Sequence, residues 1–186
     1  MPEIVKPYSQ FNPQLVQNGE KGLVAAMEFG REEVSEFFLT LAGNNGTGKS
    51  HLLMAMAKEV LDNGFVVKYL YAPEFLVELK RTFDRKPGDS HQTYDNVFES
   101  YMTPYLLVLD DLARGHYSEW GVAQMEILIQ HRYKHEMKTA FGTNFDATEM
   151  SQKLGLMVTD RVFDFGSGAA LVTFLGGPSY RTGRKW

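Results

Sequence analysis

Residues 43–50, GNNGTGKS, constrain the fold of this chain more than any other stretch. They fit the phosphate-binding pattern G-x-x-x-x-G-K-[ST] at every fixed position. The apolar residues 37–42 predict a buried strand before the motif, and residues 51–61 after it are helix-compatible and free of Gly and Pro. A strand, a glycine-rich loop and a helix are the context that the motif requires. The pattern therefore predicts a phosphate-binding loop rather than an ordinary glycine-rich turn.

The fixed residues of this loop each have a chemical role. Glycines let main-chain N–H groups approach phosphate oxygens, and the helix N-terminus adds a partial positive charge. Lys49 can reach the β and γ phosphates of a nucleotide, and the Ser50 hydroxyl can bind Mg²⁺. The predicted nucleotide-binding residues are Gly43, Asn44, Asn45, Gly46, Thr47, Gly48, Lys49, Ser50 and His51.

A second motif, LLVLDD at 106–111, joins four apolar residues to two carboxylates. In nucleotide hydrolases of this class, the first acid holds Mg²⁺ through water and the second polarises the attacking water. We assign these roles to Asp110 and Asp111. Asp111 stands where many such proteins have Glu, and its side chain is shorter by one methylene. A strand that ends in a solvated acidic turn is the alternative, and the phosphate loop upstream favours the catalytic interpretation.

Asn144 ends the next apolar strand, in the sequence FGTN. Its amide could hydrogen-bond the attacking water or the γ phosphate of the nucleotide. It could instead cap the following helix, but Asp146 is better placed for that role. We therefore count Asn144 with the catalytic residues.

Strand and helix patterns alternate along the chain, which predicts a three-layer α/β domain with a mostly parallel sheet. The predicted strands lie at 37–42, 65–71, 105–109, 138–143 and 169–175, and helices at 20–32, 51–61, 73–83, 94–101, 118–136 and 146–154, with a further short helical stretch at 157–163. Residues 1–18 form an extended lead-in, and 182–186 a basic tail. The length suits one domain over residues 1–186. Ligands of such sheets bind at the carboxyl ends of the strands, where the three motifs fall.

Composition excludes several classes of protein. The chain has no cysteine, which rules out disulfides and thiolate metal sites, and no apolar run long enough for a membrane helix. The N-terminus lacks a signal peptide pattern, so we expect a cytoplasmic protein. The net charge of −4 argues against a broad basic surface for DNA. Contacts with nucleic acid would need local patches or several subunits together.

The motifs together resemble the AAA+ ATPases of the DnaC, DnaI and IstB type, from about residue 11 to residue 181. The resemblance rests on the order and spacing of GNNGTGKSHL, YLLVLDDL, SEWGVAQMEILIQHRY, FGTNF, LGLMVTDRV and GGPSYR. It implies a P-loop NTPase fold with a parallel five-stranded sheet, order 5-1-4-3-2, and little or no C-terminal lid. It also implies that ATP or ADP and Mg²⁺ bind to the chain, and that the ATP is hydrolysed.

The same resemblance implies three further site residues. Asn144 takes the place of sensor 1, Arg161 that of the arginine finger and Arg181 that of sensor 2. An arginine finger stabilises charge on the transferring phosphate and comes from the neighbouring subunit in such ATPases. Arg161 could instead form a surface ion pair with Asp160 or Asp164, and Arg181 could belong to the basic tail.

The implied partners are further copies of this chain, assembled with ATP, single-stranded DNA and a replicative helicase. One alternative is an IstB-like helper of transposition whose partner is a transposase. Another is a nucleotide-dependent binding module with negligible turnover. About 35 residues precede the first strand, too few for the N-terminal helicase-binding domain of helicase loaders. We therefore expect either an excised ATPase core or a short natural form.

The segment that follows the acidic motif carries the residues that suit an unpaired strand. Arg114 could contact the DNA backbone, while Tyr117 and Trp120 could stack on bases near the start of the long helix. Ser118 belongs to the same predicted DNA-contacting set. Alternatively, Ser118 caps this helix and Trp120 packs it onto the sheet.

Overall fold

The structure is a computed structural model that describes residues 5–83, 93–164 and 166–179. Within these residues it contains a five-stranded sheet of order β2-β3-β4-β1-β5, in which every pair of neighbouring strands is parallel. The strands are β1 (Phe38–Gly43), β2 (Val67–Tyr71), β3 (Leu106–Leu112), β4 (Thr139–Thr143) and β5 (Ala170–Leu175). The predicted α/β fold and strand order are therefore confirmed.

Six α-helices of the described chain cover the two faces of this sheet. They are α1 (Gly19–Gly30), α2 (Lys49–Asp62), α3 (Ala72–Arg81), α4 (Tyr94–Met102), α5 (Glu119–Lys134) and α6 (Ala147–Phe163). None of the helices in the described ranges is long and apolar enough to cross a membrane. The lead-in contains two 3-10 turns, Tyr8–Gln10 and Pro13–Leu15, instead of being extended throughout.

Polar side chains fix where the helices on one face of the sheet begin. The Thr93 hydroxyl accepts a hydrogen bond from the Asn96 N–H at the start of α4. At α6, Asp146 and Glu149 form a reciprocal capping box. Asp146 is therefore the cap of α6, as predicted.

One strand boundary differs from the sequence prediction by more than two residues, and two predicted helical stretches form a single kinked helix. The helix predicted at 146–154 and the helical stretch predicted at 157–163 join as α6 across a kink at Gly155, whose φ of 82° and ψ of 166° are not helical. Glycine tolerates this conformation, so the helix restarts immediately after it. Strand β3 extends through Asp110 and Asp111 to Leu112, although its pairing with β4 is irregular between Leu109 and Leu112.

Apolar strands divide the core into one cluster on each face. One cluster joins the sheet to α3, α4, α5 and α6, and Phe38, Phe75 and Phe141 lie fully buried in it. The other joins the sheet to α1 and α2, with Phe29 and Met56 at its centre. Burial on both faces explains why the strands are almost continuously apolar.

One charged side chain, Arg132 of α5, lies fully inside this core. Its guanidinium donates five hydrogen bonds to oxygens at the end of α4 and the starts of β3 and β4. The acceptors are Thr139 Oγ1 at 2.8 Å and the carbonyls of Tyr101, Met102, Pro104 and Lys138 at 3.2, 2.8, 3.1 and 2.7 Å. Burial lowers the pKa of Arg132 to about 10, so the group remains cationic at neutral pH.

Candidate functional site

A cleft of about 710 Å³ lies at the carboxyl edge of the sheet and gathers residues from the predicted motifs. The predicted site residues that line it are Asn45, Gly46, Gly48, Lys49, Ser50, His51, Asp111, Arg114 and Asn144. The lead-in adds Lys6, Gln10, Phe11 and Asn12, and β2 adds Tyr71. These five residues were not among those predicted to bind the nucleotide.

The phosphate loop is seated tightly between the end of β5 and the lead-in. Gly43 has a φ of 134°, and a Cβ atom there would lie 1.9 Å from the carbonyl oxygen of Leu175. A Cβ atom on Gly48, where φ is 90°, would lie 2.5 Å from Cε2 of Phe11. Both positions therefore require glycine for conformation and for space. Phe11 is buried against the loop.

Lys49 is only 6% exposed, and its ammonium group lies over the phosphate loop. Its Nζ atom donates to the carbonyl oxygens of Gly43 and Asn44 at 2.7 and 2.8 Å. The Thr47 hydroxyl also donates to the Asn44 carbonyl, which closes the loop on itself. The Lys49 charge and the N-terminus of α2 therefore lie together at one end of the cleft, where they would attract phosphate.

Asp110 is 1% exposed, and both of its carboxylate oxygens accept hydrogen bonds. Oδ2 accepts from the hydroxyl of Tyr69 at 2.7 Å, and Oδ1 accepts from the N–H of Asp111 at 3.0 Å. Burial and the nearby Asp110 charge raise the pKa of Tyr69, so its hydroxyl stays protonated and can donate. A Cβ atom on Gly142 would lie 2.3 Å from Asp110 Oδ1, so β4 leaves room for the carboxylate only by having glycine there.

Asp111 lies at the irregularity of β3, and its backbone has a left-handed φ of 54°. Its Oδ2 atom accepts from a guanidinium nitrogen of Arg114 at 2.5 Å, and its Oδ1 atom accepts from the Asn144 amide at 3.4 Å. Two of the predicted catalytic residues, Asp111 and Asn144, are therefore brought together. Arg114, predicted as a DNA contact, is an ion-pair partner of the carboxylate predicted to polarise water.

The other predicted DNA-contacting residues have structural partners. The Ser118 hydroxyl accepts the Gly121 N–H and caps α5. Trp120 is half-buried, and its ring packs edge-on against Phe83, with 5.5 Å between the centroids. The hydroxyl of Tyr117 is buried, which raises its pKa to about 12. Capping and packing, the alternatives for Ser118 and Trp120, are therefore observed, and contact with DNA stays a prediction.

Arg161 lies on α6, outside the set of described residues that line the cleft. One of its terminal nitrogens donates to Asp160 at 2.8 Å, so one of the ion pairs considered from sequence is present. Its guanidinium carbon also lies 4.1 Å from the centre of the Tyr133 ring. The predicted sensor 2 residue, Arg181, lies outside the described residues.

The oxygen ligands predicted for Mg²⁺ are compatible with the geometry of the site. Mg²⁺ prefers hard oxygen ligands and usually binds through one or two side chains together with nucleotide phosphates and water. Ser50 lies in the first turn of α2, and Asp110 lies near the end of β3 with an oriented carboxylate. In the described part of the chain, no group of three or more His, Cys, Asp or Glu could hold a metal by itself.

Comparisons with known proteins agree with this fold. The chain is 30% identical over 113 residues to the replicative helicase loader DnaI of Bacillus subtilis; the match covers 60% of this chain and 34% of DnaI. It is 28% identical over 174 residues to the replicative helicase loader DnaC of Escherichia coli, covering 89% and 68% of the two chains. A crystal structure of the DnaC helicase loader superposes with a TM-score of 0.73 at 21% identity, covering 89% of this chain and 95% of that one.

This superposition, together with the phosphate loop and the strand order, identifies the fold as an AAA+ P-loop domain. The resemblance seen in the sequence motifs is thereby confirmed. A family model described as IstB-like ATP binding protein matches residues 23–185, which is well over half of the chain. The chain therefore belongs to the family of IstB-like ATP-binding proteins.

Proposed function

We propose that this chain hydrolyses ATP and acts as a helicase loader, on single-stranded DNA and a replicative helicase. The observation that carries this proposal is the convergence of Lys49, Asp111 and Asn144 in one cleft, beside the buried carboxylate of Asp110. Two relatives are named replicative helicase loaders, which supports a replicative helicase as the partner and loading as the role. From the same role we propose the cytoplasm as its location.

In this proposal, each residue of the cleft has a defined task. The phosphate loop and Lys49 bind the β and γ phosphates of ATP, and Ser50 and Asp110 would hold Mg²⁺, which neutralises phosphate charge when bound. Asp111 accepts a hydrogen bond from the attacking water, and Asn144 orients that water. Arg161 acts on the ATP of a neighbouring subunit, so turnover requires self-assembly.

The ion pair between Asp111 and Arg114 bears on how fast such a site can turn over. A carboxylate oxygen that accepts from a guanidinium is less available to a water molecule. The contact supports the second candidate, a nucleotide-dependent binding module with negligible turnover. A hydrolysis assay with and without single-stranded DNA separates the two candidates, because a loader should release phosphate when DNA is present.

Variants of the cleft test the nucleotide site. Lys49→Ala removes the cation from the phosphates and should weaken or abolish ATP binding, whereas Asp111→Asn should bind ATP and lose hydrolysis. Lys58→Ala is a matched control on α2, because Lys58 forms an exposed ion pair with Asp62. Isothermal titration and phosphate release measure the two properties. Unchanged ATP affinity and turnover in Lys49→Ala would show that the site is assigned wrongly.

The partner is tested with the full-length protein. The alternative is an IstB-like helper of transposition, and the matching family is described as IstB-like ATP binding protein. A pull-down against a purified replicative helicase and a purified transposase distinguishes the candidates. Nucleotide-dependent capture of the helicase alone supports the loader, and capture of the transposase alone supports the transposition helper.

Binding to DNA is tested by fluorescence anisotropy with labelled single strands. We expect salt-sensitive binding that requires a non-hydrolysable ATP analogue, because one acidic subunit binds weakly and assembly adds contacts. Changing Arg114 and Tyr117 to Ala together should reduce the affinity, whereas Tyr117→Phe, which keeps the ring, should not. Equal affinity with and without the analogue would contradict this part of the proposal.

A further inference from the structure

The guanidinium of Arg161 lies on the face of an aromatic ring from another helix. Its central carbon is 4.1 Å from the centre of the Tyr133 ring, although the two residues belong to α6 and α5. The Arg161 side chain is 26% exposed, so this contact is partly shielded from water. Cation–π attraction is stronger when the cation is partly desolvated.

The Tyr133 ring is itself fixed by the core. Its edge-to-face contacts with Phe37 and Phe38 place the ring centroids 5.5 and 5.9 Å apart. Phe38 is fully buried at the start of β1, and Tyr133 is half-buried above it. The ring therefore forms a rigid platform that links the sheet to Arg161.

The hydrogen bonds of Arg161 leave part of its donor capacity unused. One terminal nitrogen donates to Asp160, and the Nε atom is buried but has no acceptor among the described residues. Buried donors without a partner are rare in folded proteins and need an explanation. Stacking occupies the face of a guanidinium, so the terminal N–H groups of this partly exposed side chain can still reach phosphate oxygens.

We propose that Tyr133 is a positioning residue for Arg161, and that it holds the guanidinium ready to contact the nucleotide of a neighbouring subunit. This inference rests on the proposed function, in which Arg161 acts in trans. Tyr133 touches neither nucleotide nor phosphate in this arrangement. It acts only by restricting the side-chain conformations of Arg161.

The test replaces the ring while keeping an apolar side chain. Tyr133→Leu should lower turnover at saturating ATP by about 2- to 30-fold, the factor that corresponds to the strength of a cation–π contact. ATP affinity should stay unchanged, because Tyr133 lies outside the cleft. Tyr133→Phe keeps the ring and should turn over as the wild type. Tyr133→Met is a second variant of similar volume if the Leu protein does not fold.

Mixing subunits separates positioning from general damage. Lys49→Ala subunits lack nucleotide but carry an intact Arg161 and Tyr133. Adding them to Tyr133→Leu subunits should restore part of the turnover, because the intact arginine can then serve the Tyr133→Leu nucleotide site. Arg161→Ala subunits mixed with Lys49→Ala subunits are the reference for complete loss of the Arg161 guanidinium.

Three results would overturn the inference. Wild-type turnover in both Tyr133→Leu and Tyr133→Met, alongside loss of turnover in Arg161→Ala, would remove the role of Tyr133 and leave the proposed function intact. If Tyr133→Leu loses turnover and Lys49→Ala subunits do not restore it in mixtures that co-assemble, the Tyr133 ring only supports the fold. Wild-type turnover in Arg161→Ala would overturn the trans role of Arg161, and the positioning role with it.

Discussion

Replacing the buried Arg132 should destabilise the protein more than any exposed substitution on the same helix. Arg132→Met removes five hydrogen bonds and leaves four buried or partly buried carbonyls without this donor. At about 1 to 1.5 kcal/mol each, the five bonds contribute about 5 to 8 kcal/mol. Burying the charged guanidinium costs several kcal/mol, which offsets part of this contribution, and the variant does not incur that cost. The expected net loss is about 2 to 4 kcal/mol.

Urea unfolding measures this loss directly. The free energy of unfolding should fall by that amount while the m-value stays the same, and the melting temperature should fall by about 4 to 16 °C. Arg132→Lys keeps the charge but loses at least two donors, so it should lie between the wild type and Arg132→Met. Lys134→Met, at an exposed position in the same helical turn, is the control and should change stability by less than about 0.5 kcal/mol. A loss below about 1 kcal/mol in Arg132→Met would refute the reasoning, because the carbonyls would then gain little from the guanidinium.

Two further predictions concern single side chains. Tyr69→Phe removes the donor that orients Asp110, so the Mg²⁺ concentration needed for tight nucleotide binding should rise about 10- to 100-fold, while Tyr105→Phe, which lies outside the cleft lining, should not change it. Titration of ATP at several Mg²⁺ concentrations measures the effect, and an unchanged requirement would contradict it. Burial, and to a smaller extent the neighbouring His135, lowers the pKa of His131 below 6.5. As the pH falls, the unfolded chain therefore takes up a proton at this side chain before the folded protein does. The free energy of unfolding should fall as the pH drops through about 6.5. In His131→Gln this part of the pH dependence should disappear, which urea unfolding at pH 7.5 and 5.5 would show.

Local patterns predicted the elements of the fold, but the strand order came only from the family resemblance. Apolar runs and turn residues are local signals, whereas the order of parallel strands depends on pairings between distant parts of the chain. The differences between the predicted and observed elements have local causes. Gly155 accepts a backbone conformation that interrupts α6 without ending it, and the irregularity at Asp111 lets β3 continue beyond its apolar run.

The residues of the candidate site that belong to a motif were predictable from the sequence, whereas contacts between residues far apart in the sequence were not. Lys49 and Asp110 follow from motifs whose residues have fixed spacing. The contact of Tyr69 with Asp110 depends on the register of β2 against β3, which pairs Tyr71 with Asp110, and no single-sequence pattern reports that register. The ion pair of Arg114 with Asp111 spans only three residues, and their opposite charges in a turn were the signal that could have revealed it.

The seating of the phosphate loop has a mechanical consequence. The loop touches Phe11 on one side and Leu175 and Ser179 on the other, and Gln17 and Gly176 then join the same two segments through paired backbone hydrogen bonds. The loop therefore cannot change its conformation without straining the contact between these two segments, which lie more than 150 residues apart in sequence. Occupancy of the loop should be detectable there as altered hydrogen exchange at the Gln17 and Gly176 amides. These amides provide a reporter of nucleotide state that requires no label in the cleft.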